Sequence, residues 1–317
     1  MKRASGTWWR FSRYELRDGY ICPAPGAALE QIDPWSAYWR REGHVSFPPH
    51  LDLADVVRHV PTAKGLSAPV PESEELQTEV LRWCKQNGLL GLLPHTVLSV
   101  RLRDWRATRT ANGWTNEREA WVPEQFGPPE EEIVTDMFGD GQRPDSVEAN
   151  WHQYFPTMYY HHAPASNFHI LPETEEFWKQ YGEPFDYFVQ VALFFTNAVR
   201  VLADSGDEII DEGSDEPLDR AGARTRLNDL MNGVTPSVAV DKRGRNVESW
   251  RSPSLLGHLA RQAVDELLGD RRVIICRDCE RIFASSHWHA EYCSDRCATR
   301  NRVRRHREKK RTQKEGT

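Results

Sequence analysis

The sequence predicts an α+β chain in two unequal parts. Residues 1–270 read as a mainly helical region with a few short antiparallel strands, and residues 271–317 as a small cysteine-rich module that ends in a basic helix. Three observations predict this: capped helical runs recur in the second half, short alternating runs flank turn dipeptides, and four of the six cysteines fall between residues 276 and 297. With 317 residues, 39% apolar and 28% charged, the chain has material for two packed domains. The apolar content excludes a disordered chain, and 20 Gly and 20 Pro without a period exclude a fibrous one.

The elements follow in order. Residues 8–21 alternate polar with aromatic or apolar side chains about Asp18-Gly19, a hairpin signal. Residues 73–87 form a helix with Ser73 at its cap and Asn87-Gly88 at its end. Val97, Leu98, Ser99 and Val100 make a strand-like run. Residues 126–148, rich in Pro, Gly and acids, read as an exposed connection dividing the region into subdomains 1–125 and 150–270. A helical pattern over 174–203 breaks near 182–184, and two more helices cover 217–231 and 252–268. Between these two, residues 237–240 and 247–250 flank Asp241-Lys-Arg-Gly-Arg as a second hairpin. The isolated Cys22 and Cys84 read as small buried apolar residues.

The longest apolar stretch, 189–195, is cut by Gln190 and followed by Thr196, Asn197 and Arg200. That is short of the ~20 residues a membrane helix requires. No apolar signal core follows Met1-Lys2-Arg3. A cytoplasmic location without membrane partners is therefore expected.

Charge divides the chain at the same place as the cysteines. Residues 271–317 carry 14 Lys and Arg against 6 Asp and Glu, net +8, leaving 27 against 41, net −14, for residues 1–270. A basic module on an acidic body suits a polyanion that meets only the module.

Cys276, Cys279, Cys293 and Cys297 are spaced C-x2-C-x13-C-x3-C, the ligand arithmetic of one structural Zn2+. Disulfides compete poorly in the expected reducing compartment. Cys276-Arg-Asp-Cys279 must turn sharply, residues 280–289 suggest a short hairpin, and Ser294-Asp295 suit the start of a helix with Cys293 and Cys297 on one side. Knuckle, hairpin and helix make a treble-clef-like order. Past Cys297 the helix has almost no apolar face: Arg296, Arg300, Arg304, Arg307 and Arg311 form one stripe, with Arg302, Arg305, Lys309 and Lys310 beside it. Such cations suit nucleic-acid phosphates, DNA first and RNA second, and the bland alternative is a solvated charge run.

At these residues a family becomes legible. Residues 272–311 resemble the CGNR zinc finger, a short bacterial C-terminal finger of transcriptional regulators. In Cys297-Ala298-Thr299-Arg300 the cysteine, the fourth-place arginine and the basic run that follows match, while Ala298 and Thr299 stand where the family has Gly and Asn. The segment is also similar to bacterial short fingers of the form C-x2-C, Tyr-Cys-Ser-x2-Cys and an Arg-rich helix. The resemblance implies zinc binding and DNA binding, and the helix before Arg272 resembles the helical ABATE domain that such fingers follow. The N-terminal region would then sense a small ligand or a protein partner.

Catalysis has little support. The phosphate-loop, dinucleotide, esterase and zincin signatures are absent from the sequence. His152, His161, His162 and His169, among Trp151, Tyr154, Phe155, Tyr159 and Tyr160, could line a ligand pocket or bind a second metal, but their spacing fits no recognised ligand helix and aromatic-histidine loops often simply pack. Glu130, Glu131, Glu132, Asp136 and Asp140 read as a solvated loop rather than magnesium ligands. An HNH-like nuclease would draw on His287, His289, Asn301 and His306, but four cysteines would close the metal site to water. The remaining alternative is an RNA-binding or protein-interaction module with a structural zinc, in which Trp288 and Tyr292 would do the stacking.

Overall fold

The computed structural model describes residues 6–39, 45–60, 70, 73–92, 178–179, 181–203, 217–231, 233–240, 244–252 and 254–315. Helices and short antiparallel strands mix along it. The first half contributes β1 (Trp8–Phe11), β2 (Tyr14–Arg17), β3 (Tyr20–Pro23), β4 (Leu29–Ile32), α1 (Pro34–Trp39), β5 (Val45–Ser46), α2 (Pro49–Val56) and α3 (Glu74–Asn87). The second contributes β6 (Glu183–Pro184), α4 (Phe185–Leu202), α5 (Arg220–Leu230), β7 (Thr235–Val240), β8 (Asn246–Arg251) and α6 (Leu255–Leu268). The cysteine segment adds β9 (Arg272–Ile275), β10 (Ile282–Ser285) and α7 (Asp295–Glu315). The expected strand at 97–100, the connection at 126–148, its acidic cluster and the aromatic-histidine constellation at 151–169 lie outside the described residues.

Local chemistry explains the element ends. Asp18 and Gly19 both take positive φ, +51° and +81°, the geometry of a tight two-residue hairpin between β2 and β3. β1 does not join that hairpin but pairs with β4, Trp8 opposite Ile32. Ser73 accepts the Leu76 N–H at 3.4 Å to cap α3, whose first turn carries Glu74 and Glu75. Asp219 and Ser254 cap α5 and α6 in the same way. The break expected near 182–184 in the helical pattern over 174–203 is present: residues 178–179 are helical, residues 183–184 form a strand beside β3, and α4 begins at Phe185. β7 and β8 pair over six residues each, Thr235 opposite Arg251.

The main core lies among α2, α3, α4 and α6 and is rich in large side chains, with Trp35, Trp83, Trp178, Tyr181, Phe188 and Phe195 fully buried. Among the described residues only α4 is long and apolar enough to cross a membrane, and 72% of that stretch is buried inside the protein. Trp8 packs edge-on to Trp178 at 4.8 Å and donates its indole N–H to the Leu89 carbonyl at 3.0 Å. The chain after α3 must pass so close to this ring that a Cβ on Gly91 would lie 2.6 Å from it. Cys22 and Cys84 are buried and unbridged, and burial raises the Cys22 thiol to about 11.

β9 and β10 pair directly across the first two cysteines, Ile282 opposite Ile275. The hairpin expected within residues 280–289 is thus formed by the strands on either side of the knuckle. β5 completes this sheet against β10, Ser46 opposite Ala284. Strand alternation then serves two layers: Val273, Ile282 and Ala284 enter the main core, whereas Ile274 and Phe283 face the cysteines.

Candidate metal centre and basic helix

The knuckle is built by its own backbone. Cys276 N–H donates to the Arg281 carbonyl at 2.9 Å, Glu280 N–H returns to the Cys276 carbonyl at 2.9 Å, and Glu280 takes φ +59° to close the turn. On the other side Ser294 accepts the Cys297 N–H at 3.3 Å, starting α7 so that Cys297 projects from its first turn toward Cys293.

These two pieces bring all four sulfurs within 4.8 Å of one another. Cys279 Sγ lies 3.5 Å from Cys293 Sγ, which lies 3.7 Å from Cys297 Sγ. A tetrahedral Zn–S distance of 2.3 Å requires sulfurs about 3.8 Å apart, so the cluster fits one such ion. The separations are too long for a disulfide, and all four cysteines are free.

The electrostatics favour a cation here. Burial opposes ionisation of Cys276, yet N–H groups of Cys293, Cys279 and Asp278 draw its thiol down to about 7. Burial raises Cys279. Cys293 is pushed up further, first by burial and then by the neighbouring sulfurs. Crowded thiolates repel one another, and a divalent ion at their centre removes that penalty.

Asp278, a residue without a place in the cysteine pattern, ties the knuckle to α7. Its side chain is only 2% exposed and takes Arg300 Nε at 2.6 Å and Nη2 at 2.5 Å, with Arg304 Nη1 at 3.8 Å. Arg300 holds the Asp278 carboxyl below its ordinary range. Arg300 Nη2 also reaches Cys297 Sγ at 3.6 Å. Behind the knuckle Arg281 pairs with Asp55 of α2 and lies over the Phe47 ring at 4.6 Å.

The predicted cations do emerge on one helix of 21 residues, about 31 Å long. Arg296, Arg300, Arg302, Arg304, Arg305, Arg307, Lys309 and Lys310 are exposed, Arg300 despite its contact with Asp278; the Arg311 side chain lies outside the described residues. Asn301 is buried, 6% exposed, on the face toward the cysteines. His287 and His289 are exposed and outside the sulfur cluster, which holds cysteines alone. Trp288 is 72% exposed, with the Arg272 guanidinium 4.9 Å from its ring and bonded to its carbonyl. Sequence reasoning missed Asp278, Asp55 and Phe47, since no spacing links them to the cysteines.

No protein-family model, no curated protein and no solved structure matches this chain.

Proposed function

We propose that the protein is a zinc-finger nucleic-acid-binding regulator of transcription. Cys276, Cys279, Cys293 and Cys297 would hold one structural Zn2+, in a treble-clef-like finger of CGNR type, and α7 would contact DNA. The N-terminal region would sense a small ligand or a protein partner. The observation that carries this reading is the juxtaposition of four sulfurs within 4.8 Å with the first turn of a 21-residue helix whose exposed surface is cationic. Bound zinc would fix the knuckle against α7 and so orient the cations; it supplies folding energy and no chemistry.

The test is metal content and duplex-DNA binding of the purified chain across a salt series, beside a Cys276→Ser/Cys279→Ser variant. One zinc per chain and steeply salt-dependent binding, both lost in the variant, support the reading. Zinc without binding to nucleic acid makes the segment a structural clip and overturns it.

A second reading, RNA or single-strand binding, is favoured by one observation. Trp288 offers an exposed ring backed by a guanidinium, a ready stacking platform for an unpaired base. Tighter binding to single-stranded RNA than to duplex DNA, lost in Trp288→Ala, would select it.

A further inference from the structure

At 100° per residue, α7 sorts its basic side chains by direction. Arg300 and Arg304 point to one side of the helix, where Asp278 occupies both. Arg302, Arg305 and Lys309 point roughly 150° away from them. They line a groove of about 860 Å³ whose wall includes Tyr292. None of the three takes part in an ion pair among the described residues. Glu291 and Glu308 also border the groove, but Glu291 is paired with Arg277 at 2.9 Å.

We propose that α7 divides its cations between two tasks: Arg300 with Asp278 braces the thiolate cluster, and Arg302, Arg305 and Lys309 take the phosphodiester backbone of a nucleic acid in the groove beside Tyr292. The second half rests on the nucleic-acid reading above, and the first half does not. Arg300 suits the brace because it joins both halves of the sulfur cluster, bonding the knuckle's Asp278 and reaching Cys297 Sγ, where its charge offsets that of a thiolate. A guanidinium so placed is neutralised by a carboxylate and turned toward the cysteines, so it is a poor phosphate contact. The groove suits phosphate for the opposite reason: its three cations lack carboxylate partners among the described residues and stand along one flank of the helix, able to follow a strand.

Two measurements on the full-length protein separate these tasks. Zinc affinity is read by competition with a chromogenic chelator, and polyanion binding by the salt dependence of affinity for a short DNA duplex and an RNA duplex of the same sequence. Arg300→Gln and Asp278→Asn are expected to weaken zinc binding by about 10- to 100-fold, with Arg300→Lys recovering part of it. At saturating zinc both should leave the salt slope unchanged. Arg302→Gln/Arg305→Gln/Lys309→Gln should keep zinc affinity and lower the slope of log K against log salt by about 2 to 3. Arg296→Gln/Arg304→Gln/Arg307→Gln, on the Arg300 side of the helix, should lower it by less than about 1. The proposal is overturned if Arg300→Gln keeps zinc affinity and loses one unit of slope, or if the second triple variant costs as much slope as the first. Were the wild type to bind neither duplex, the groove assignment would fall with the nucleic-acid reading, while the Arg300→Gln zinc affinity would still decide the brace.

Discussion

Arg281, two residues past the second knuckle cysteine, pairs with Asp55 of α2 across 226 residues of sequence. The contact is half-buried, with Arg281 34% and Asp55 11% exposed, and Val273, Ile282 and Ala284 of the same sheet lie in the main core. Whatever orders the cysteine cluster therefore also orders part of the body. If the cluster holds zinc as proposed, stripping it should lower the melting temperature of the whole chain in one calorimetric transition. At free zinc about 100 times its Kd the linkage is ~2.7 kcal/mol. Two separate transitions, with the upper one indifferent to chelator, would show that the contact transmits nothing.

Glu183 is fully buried and accepts the N–H groups of Leu90 at 3.0 Å, Gly91 at 2.6 Å and Leu92 at 3.0 Å, together with the Tyr181 hydroxyl at 2.7 Å. It staples the segment after α3 to the start of β6. Glu183→Ala removes the acceptor shared by four buried donors and should cost about 3–5 kcal/mol. Urea titration followed by tryptophan fluorescence reads it, and a loss below about 1 kcal/mol would mean that water replaces the carboxylate.

His258 is 1% exposed, and its Nδ1 accepts the Trp35 indole N–H at 3.3 Å, which requires a neutral ring. Burial lowers it from 6.5 to about 3. The folded state refuses a proton that the unfolded state accepts, so the contribution is complete above pH 6.5 and lost as pH falls toward 3, at most about 4–5 kcal/mol. Glu183 acts in the opposite sense: burial raises it to about 7 against its hydrogen bonds, so its contribution falls as pH rises from about 4.5 through 7. The two overlap, and the His258 effect is read as a difference. Urea midpoints of His258→Gln should fall less steeply between pH 6.5 and 4 than those of the wild type, and parallel curves would refute the assignment.

Gly88 ends α3 at φ +95°, and a Cβ there would sit 2.4 Å from the Trp9 carbonyl oxygen. Backbone cannot yield as a side-chain tip can, so Gly88→Ala combines strain with a clash and should destabilise by more than about 2 kcal/mol. Gly244→Ala is the useful comparison. It shares a positive φ, +72°, but has open space around it, and should cost only about 1 kcal/mol. Equal losses in thermal unfolding would assign the whole effect to backbone strain.

By itself the sequence determined what is local. The Asp18-Gly19 turn, the Ser73 cap, the helices ending at Leu230 and Leu268 and the pairing of β7 with β8 follow from residues a few positions apart, where turn chemistry and periodicity act. The gathering of four cysteines was legible for the same reason, since two close pairs need only a knuckle and a helix start to meet. Only the tertiary structure decided how that cluster is supported. β5 reaches β10 across more than two hundred residues, Arg281 finds Asp55, and Asp278 removes Arg300 from a stripe that helical spacing alone had made uniform. Partners so distant are chosen by which surfaces the folded core brings together, and a linear pattern carries no term for that.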